Sequence, residues 1–171
     1  MNIYKLRADS NKFQNIILSN SNDYELLDNI NSEKWKPIQA KLLSDNNGEK
    51  LMPGDFPSLM RSTPVLSSYA WQKLKKYLTP FCEALPIIVQ NETYWLLNVH
   101  VTDILDIEHS RVERFSCSGR ISSVLKFIPI NESVPIIFKI PQTANSTVYV
   151  SAEFVELIKL YRLLGFEFEL C

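Results

Sequence analysis

The sequence predicts an α+β fold with a mainly antiparallel sheet, on three observations. Two apolar runs, at residues 85–89 and 94–101, flank the polar segment Gln90, Asn91, Glu92 and Thr93, as in a central β-hairpin spanning about 85–101. Two further stretches, about 68–79 and 152–164, repeat apolar residues at helical spacing and form the principal helices. Strand-like runs outnumber these helices, and no alternation of strand with helix marks a parallel βαβ sheet. The 171 residues have the length of one domain, 1–171, with a less regular N-terminal part at 1–64. Such a chain buries roughly 70% of its unfolded surface and needs neither disulfide nor metal to fold.

Taken in order, Ile3, Tyr4 and Leu6 among polar neighbours read as a first strand, and residues 13–18 as a second. Residues 20–31, rich in Asn, Asp and Ser around Tyr24, Leu26 and Leu27, suit a loop holding one helical turn. Trp35, Lys36 and Pro37 enter another extended run. The apolar pairs near Leu42 and Leu51 bracket Asp45, Asn46, Asn47 and Gly48, a turn in which Gly supplies positive φ. Pro53, Pro57 and Pro64 break up a passage whose Phe56, Leu59, Met60, Val65 and Leu66 are too apolar for a free linker. An irregular segment packed on the core is expected there.

Ser67 or Ser68 caps the first helix, whose apolar positions are Ala70, Leu74, Tyr77 and Leu78, with Trp71 at the edge. Its lysines, Lys73, Lys75 and Lys76, read as a solvated face near the C-terminal end, where cations suit the dipole. Pro80 ends the helix. In the hairpin, Trp95, Leu97, Val99 and Val101 share a wholly apolar face. Tyr94, Leu96, Asn98, His100 and Thr102 share the other, where Asn98 and His100 require partners such as backbone carbonyls or Asp103. A two- or four-residue loop sets Val89 opposite Tyr94 and Ile88 opposite Trp95; a three-residue loop reverses one strand's faces.

Residues 112–115 and 120–128 are β-compatible, and Pro129 and Pro135 bracket a loop. Residues 136–140 form a strand ended by Pro141, and 147–150 a short one. Ser151 caps the second helix, with Phe154, Leu157, Ile158, Tyr161 and Leu164 on its apolar side and Gly165 as its left-handed cap. Residues 166–170 alternate as a last strand, apolar on one side and acidic on the other.

Charge and motifs exclude more than they select. Eighteen basic and nineteen acidic residues leave a net charge of −1, with no footprint for nucleic acid or an anionic membrane. No apolar run reaches the twenty or so residues that span a bilayer. The start of the chain has charges where a signal peptide carries its apolar core, so a cytoplasmic protein is expected. Cys82, Cys117 and Cys171 are odd in number and widely spaced, which fits free thiols. The glycosylation-like triplets at Asn91, Asn131 and Asn145 read as turns.

His100 and Asp103, with His109 nearby, could orient a general base, and Cys117 or a serine could serve as nucleophile. No nucleophile sits in a recognisable elbow, and a hydrogen-bonding role for His100 is the simpler reading. Asp103, Asp106 and Glu108 match no cation loop and suit turn formation. Only four glycines occur, none in a phosphate-binding pattern. No catalytic, cofactor-binding or metal-binding residue is therefore assigned. Glu167 and Glu169, on the outer face of the last strand, are the candidate partner-binding residues, with the polar loops at 20–32 as a further surface.

A series of cues runs along the chain. It comprises Asp55-Phe56-Pro57, then Pro64 to Ser67, then Glu83 to Pro86 after the first helix. Tyr94 to Val99, Asp103 to Asp106, Ile137 to Lys139, Val148 to Ser151 and Gly165 to Phe168 complete it. In this order they resemble family eleven of the bacterial polymorphic-toxin immunity proteins, from about Tyr4 to the C-terminus. The resemblance implies a cytoplasmic, non-enzymatic protein that binds a cognate toxin domain and neutralises it by stoichiometric occlusion. It carries over no catalytic motif and no partner-binding residue. The other readings of the residues are a small hydrolase using His100 and Asp103, and an interaction module unrelated to toxins.

Overall fold

The computed structural model describes residues 2–59, 63–114, 121–128, 134–143 and 146–171, and of residues 46, 111–114 and 121–124 the backbone alone. The chain opens with strands β1 (Ile3–Ala8) and β2 (Asn15–Leu18), then a 3₁₀ segment at Ser21–Leu27, then β3 (Ile38–Leu43). A small hairpin of β4 (Asp45–Asn46) and β5 (Glu49–Lys50) turns through Asn47 and Gly48, both at positive φ. Next come β6 (Val65–Ser67), helix α1 (Ser68–Leu78) and the long pair β7 (Cys82–Val89) and β8 (Glu92–Val99). An antiparallel pair of strands, β9 (Arg111–Arg114) and β10 (Ile121–Val124), is followed by β11 (Ile137–Phe138) and β12 (Val148–Ser151). Helix α2 (Ala152–Leu160) and β13 (Phe166–Leu170) close the chain. Cys117, the ends of the expected runs at Phe115 and Arg120, Pro129 and the turns at Asn131 and Asn145 lie outside the described residues.

One sheet has the order β2-β3-β7-β8-β6 and the other β11-β12-β1-β13. Among the ladders of the described strands only β3 beside β7 is parallel, so the fold is α+β with mainly antiparallel sheets. The helices fill the space between the sheets. Ala70, Leu74 and Leu78 of α1 and Phe154, Leu157 and Ile158 of α2 meet Cys82, Leu97 and Val99 from one sheet and Ile137, Val148 and Val150 from the other. Both sheets are also covered outside. Leu85, Ile87, Tyr94 and Leu96 pack under Leu27 and Leu59, while Ile3, Phe138 and Tyr149 pack with Ile104, Leu105 and Leu125. No helix among the described residues is long and apolar enough to cross a membrane.

The hairpin keeps its faces and changes its register. Gln90 and Asn91, at φ 52° and 71°, form a two-residue turn that pairs Ile87 with Tyr94 and Pro86 with Trp95. The expected pairs, Val89 with Tyr94 and Ile88 with Trp95, are thus displaced by two residues, which returns each side chain to its own face. Two successive left-handed residues match the twist of the strands, so the turn closes tightly. Leu97 and Val99 are buried as expected, but Trp95 is half-buried against Trp71, 5.8 Å between ring centroids, and Val101 leaves the strand and is 53% exposed.

Four other expectations change. Helix α2 stops at Leu160 rather than continuing to Leu164. Arg162 adopts φ 53° while its N–H bonds to Lys159 O (3.1 Å) and that of Leu163 to Ile158 O (3.0 Å), a closing pattern that turns the last carbonyls inward. Gly165, at φ 93°, therefore does not cap the helix; a Cβ there would meet the Phe56 carbonyl at 3.3 Å, so it marks the close passage into β13. Ser151 occupies the N-cap position without a capping bond, its Oγ buried and, among the described residues, unpartnered. The strand expected at 136–140 pairs with β12 over Ile137 and Phe138 only. Lys139 crosses instead to 100–102, its N–H donating to His100 O (3.0 Å) and its carbonyl accepting from Thr102 (2.7 Å).

Candidate functional site

The buried row of α1, Ala70, Leu74 and Leu78, fixes what the helix presents beside it. Tyr69, Lys73 and Tyr77 precede those residues by one position each and so stand about 100° round the helix, at the rim of the buried stripe. Tyr69 is 52% exposed, Lys73 and Tyr77 are half-buried and Lys76 is exposed. Tyr161 joins this row from the end of α2. The Lys73 ammonium lies 5.4 Å from the Tyr69 ring centre and 6.0 Å from that of Tyr161, and Lys76 lies 4.6 Å from that of Tyr77. The Tyr77 and Tyr161 hydroxyls are 3.4 Å apart. That contact, followed by the Lys76 ammonium, holds the Tyr77 phenol below its ordinary range, while Tyr161 is held above it.

Asp55 sets the two helices relative to each other. Its Oδ1 accepts from Ser67 Oγ (2.7 Å) and its Oδ2 from the Leu164 N–H (3.0 Å), just past α2. Its backbone bonds to both neighbours as well, to Leu164 O and from Ser67 N–H, each at 2.9 Å. Ser67 Oγ in turn accepts from Ala70 N–H (3.1 Å), the expected cap of α1. One carboxylate thus ties the start of α1 to the turn that carries Tyr161.

The residues singled out by sequence lie elsewhere. Glu167 and Glu169 are exposed on β13, as expected of its outer face. Glu169 accepts from Lys5 Nζ (3.0 Å) and pairs with Arg7, both on neighbouring β1, and the Lys5 bond holds its carboxyl below the usual range. Its charge is largely compensated within the fold. In the polar loops, Asn20 and Asn31 cap their local 3₁₀ turns, and Ser32 Oγ donates to Glu83 (2.9 Å). Glu83 also accepts from Asn98 Nδ2 (2.9 Å), so Asn98 finds a carboxylate rather than the expected backbone carbonyl or Asp103.

His100 and Asp103 are both exposed, and among the described residues no hydrogen bond joins them. The His–Asp contact that forms is local. Asp106 Oδ2 lies 2.8 Å from His109 Nδ1, and Asp106 Oδ1 accepts from the His109 N–H, closing a turn. No group of three or more His, Cys, Asp or Glu able to hold a metal occurs among the described residues. Burial pushes the Cys82 thiol up to about 12. A cleft of about 300 Å³ opens beside Lys5 and Arg7 against Phe56, Leu59, Pro64 and Val148.

The tyrosine and lysine face is what sequence reasoning missed, having placed Tyr77 in the core and the lysines in solvent. The available signal was the i, i+4, i+8 row at Tyr69, Lys73 and Tyr77 beside the apolar row. Tyr161 had no such signal, because its place depends on where α2 stops. No family model matches the chain, and no curated protein matches it.

Proposed function

We infer that this chain is a non-enzymatic immunity protein that binds a cognate toxin domain in the cytoplasm and blocks it by stoichiometric occlusion. The observation that carries the reading is the face built by Tyr69, Lys73, Lys76, Tyr77 and Tyr161. Tyrosine offers a large contact area with little conformational freedom to lose, and such rings anchor protein interfaces. Here they are already oriented by the lysines and by Asp55, so little ordering remains for the binding step. The resemblance of the ordered cues to an immunity family supports the same reading. An occluding inhibitor needs an interface of about 1,200–2,000 Å² in total.

The test is to express the product of the adjacent reading frame in a sensitive host with and without this chain, then to assay the purified pair for a complex. Rescue of growth together with a one-to-one complex is expected. Toxicity unrelieved by this chain, with no complex at micromolar concentrations, overturns the reading. Rescue that persists in His100→Ala and Asp103→Ala excludes hydrolysis at those residues as its basis.

A further inference from the structure

We propose that the tyrosine and lysine face of α1 and α2 receives a carboxylate-rich protein surface; the partner's identity rests on the occlusion reading, its chemistry on the geometry of the face. The ring contacts set these two lysines apart. Lys5, Lys12 and Lys159, like Arg7, each meet a carboxylate of their own fold. Lys73 and Lys76, among the described residues, meet none and lie against tyrosine rings instead. A ring face attracts an ammonium through its quadrupole and leaves the charge uncompensated. The rings thus hold two cations in place that no carboxylate among the described residues pairs with. Glu153, in the first turn of α2, reaches Tyr77 only through its field.

The hydroxyl pair adds directionality. When one of Tyr77 and Tyr161 donates to the other, the acceptor's own O–H remains available to an acceptor from outside. Two ammonium groups and a phenol donor beside half-buried rings match carboxylates set in an apolar rim. The alternative ligand class, single-stranded nucleic acid, needs open ring faces for bases to stack on. Here an ammonium already lies against each ring. Neither does the net charge of −1 provide the broad basic track that a phosphate backbone requires.

The double variant Lys73→Glu/Lys76→Glu should lower affinity for the adjacent frame's product by about 100-fold or more, since it sets like charges against the partner's carboxylates. Lys73→Gln/Lys76→Gln, which removes charge without reversing it, should fall between that and the native chain. Binding by the native chain should weaken as salt rises. Lys41→Glu, an exposed position on β3, serves as control, and circular dichroism checks that each variant folds. A complex that forms and is indifferent to both lysine variants overturns this surface while leaving occlusion standing.

If the adjacent product does not bind, the occlusion reading fails. The face is then judged by amide chemical shifts of the full chain titrated with poly-glutamate and, separately, with a thymidine oligonucleotide. Shifts around Tyr69, Tyr77 and Tyr161 with poly-glutamate, lost in the charge-reversed variant, support the proposal. No such shifts, or tighter binding of the oligonucleotide on this face, refute it.

Discussion

A few side chains carry more than their share of this structure. Leu97 is 1% exposed in the core between the sheets, so Leu97→Ala should destabilise by about 2–5 kcal/mol, measured by urea unfolding. Asp55 accepts from two separate segments, so Asp55→Ala should lower stability by about 1.5–3 kcal/mol and loosen Tyr161 against α1. Two exposed carboxylates set part of the acid response. Glu83 is held low by Asn98 and then Ser32, Glu169 by Lys5. A depressed folded pKa contributes stability that is present above the ordinary carboxylate value and lost as pH falls through the depressed one. Glu83→Gln and Glu169→Gln should therefore each lose less melting temperature than the native chain between about pH 6 and about pH 3. Cys82, with its thiol pushed up to about 12, should resist alkylation at neutral pH until the chain is denatured, as mass spectrometry would show.

At the scale of elements, the two helix starts look alike in sequence and differ in chemistry. Ser67 caps α1 and also donates to Asp55, whereas the Ser151 hydroxyl is buried with no partner among the described residues. Ser67→Ala should cost about 1–2 kcal/mol, while Ser151→Ala should be neutral or stabilising, since it removes an unsatisfied group. Chemical denaturation of the pair decides; equal losses would mean that Ser151 caps after all. Arg162 holds a left-handed conformation in which its Cβ is unfavourable, so Arg162→Gly should raise stability by about 1 kcal/mol. Most element positions were legible, because alternation through β8 and β13 and the apolar rows of α1 and α2 report directly on burial. The end of α2 was not. Leu164 continues the helical period, and only the reversed φ at Arg162 takes it out of the helix.

Across the whole molecule, the first strand and the last are partners. Tyr4 aligns with Leu170 and Ala8 with Phe166, and β1 lies between β12 and β13. Phe166 and Phe168 pack on Phe154 beneath them. Removing residues 166–171 should therefore abolish cooperative thermal unfolding, followed by circular dichroism, rather than merely trim an end. The same closure brings the turn after α2 to Asp55 and so to α1. Tyr161 joins the tyrosine and lysine face only through this packing of the end of α2 against α1. Loss of partner binding in a truncated chain would thus reflect loss of the fold, which is why point variants at Lys73 and Lys76 are the sharper probe.

By itself the sequence determined the class, the hairpin, the two helices and the alternation of the closing strand. Each follows from local periodicity and, at the end of α1, from Pro80. It also determined that no long apolar span and no phosphate loop is present. Tertiary structure alone decided the register at Gln90 and Asn91, because several loop lengths fit the same polar segment and preserve the same faces. It decided that Glu169 is paired with Lys5 and Arg7, since strand partners 160 or more positions apart leave no local trace. Lys73 and Tyr161, brought together by the packing of α1 against the end of α2, are 88 residues apart (161 − 73). Periodicity reports which face of an element is buried, but only packing decides which two exposed faces become neighbours.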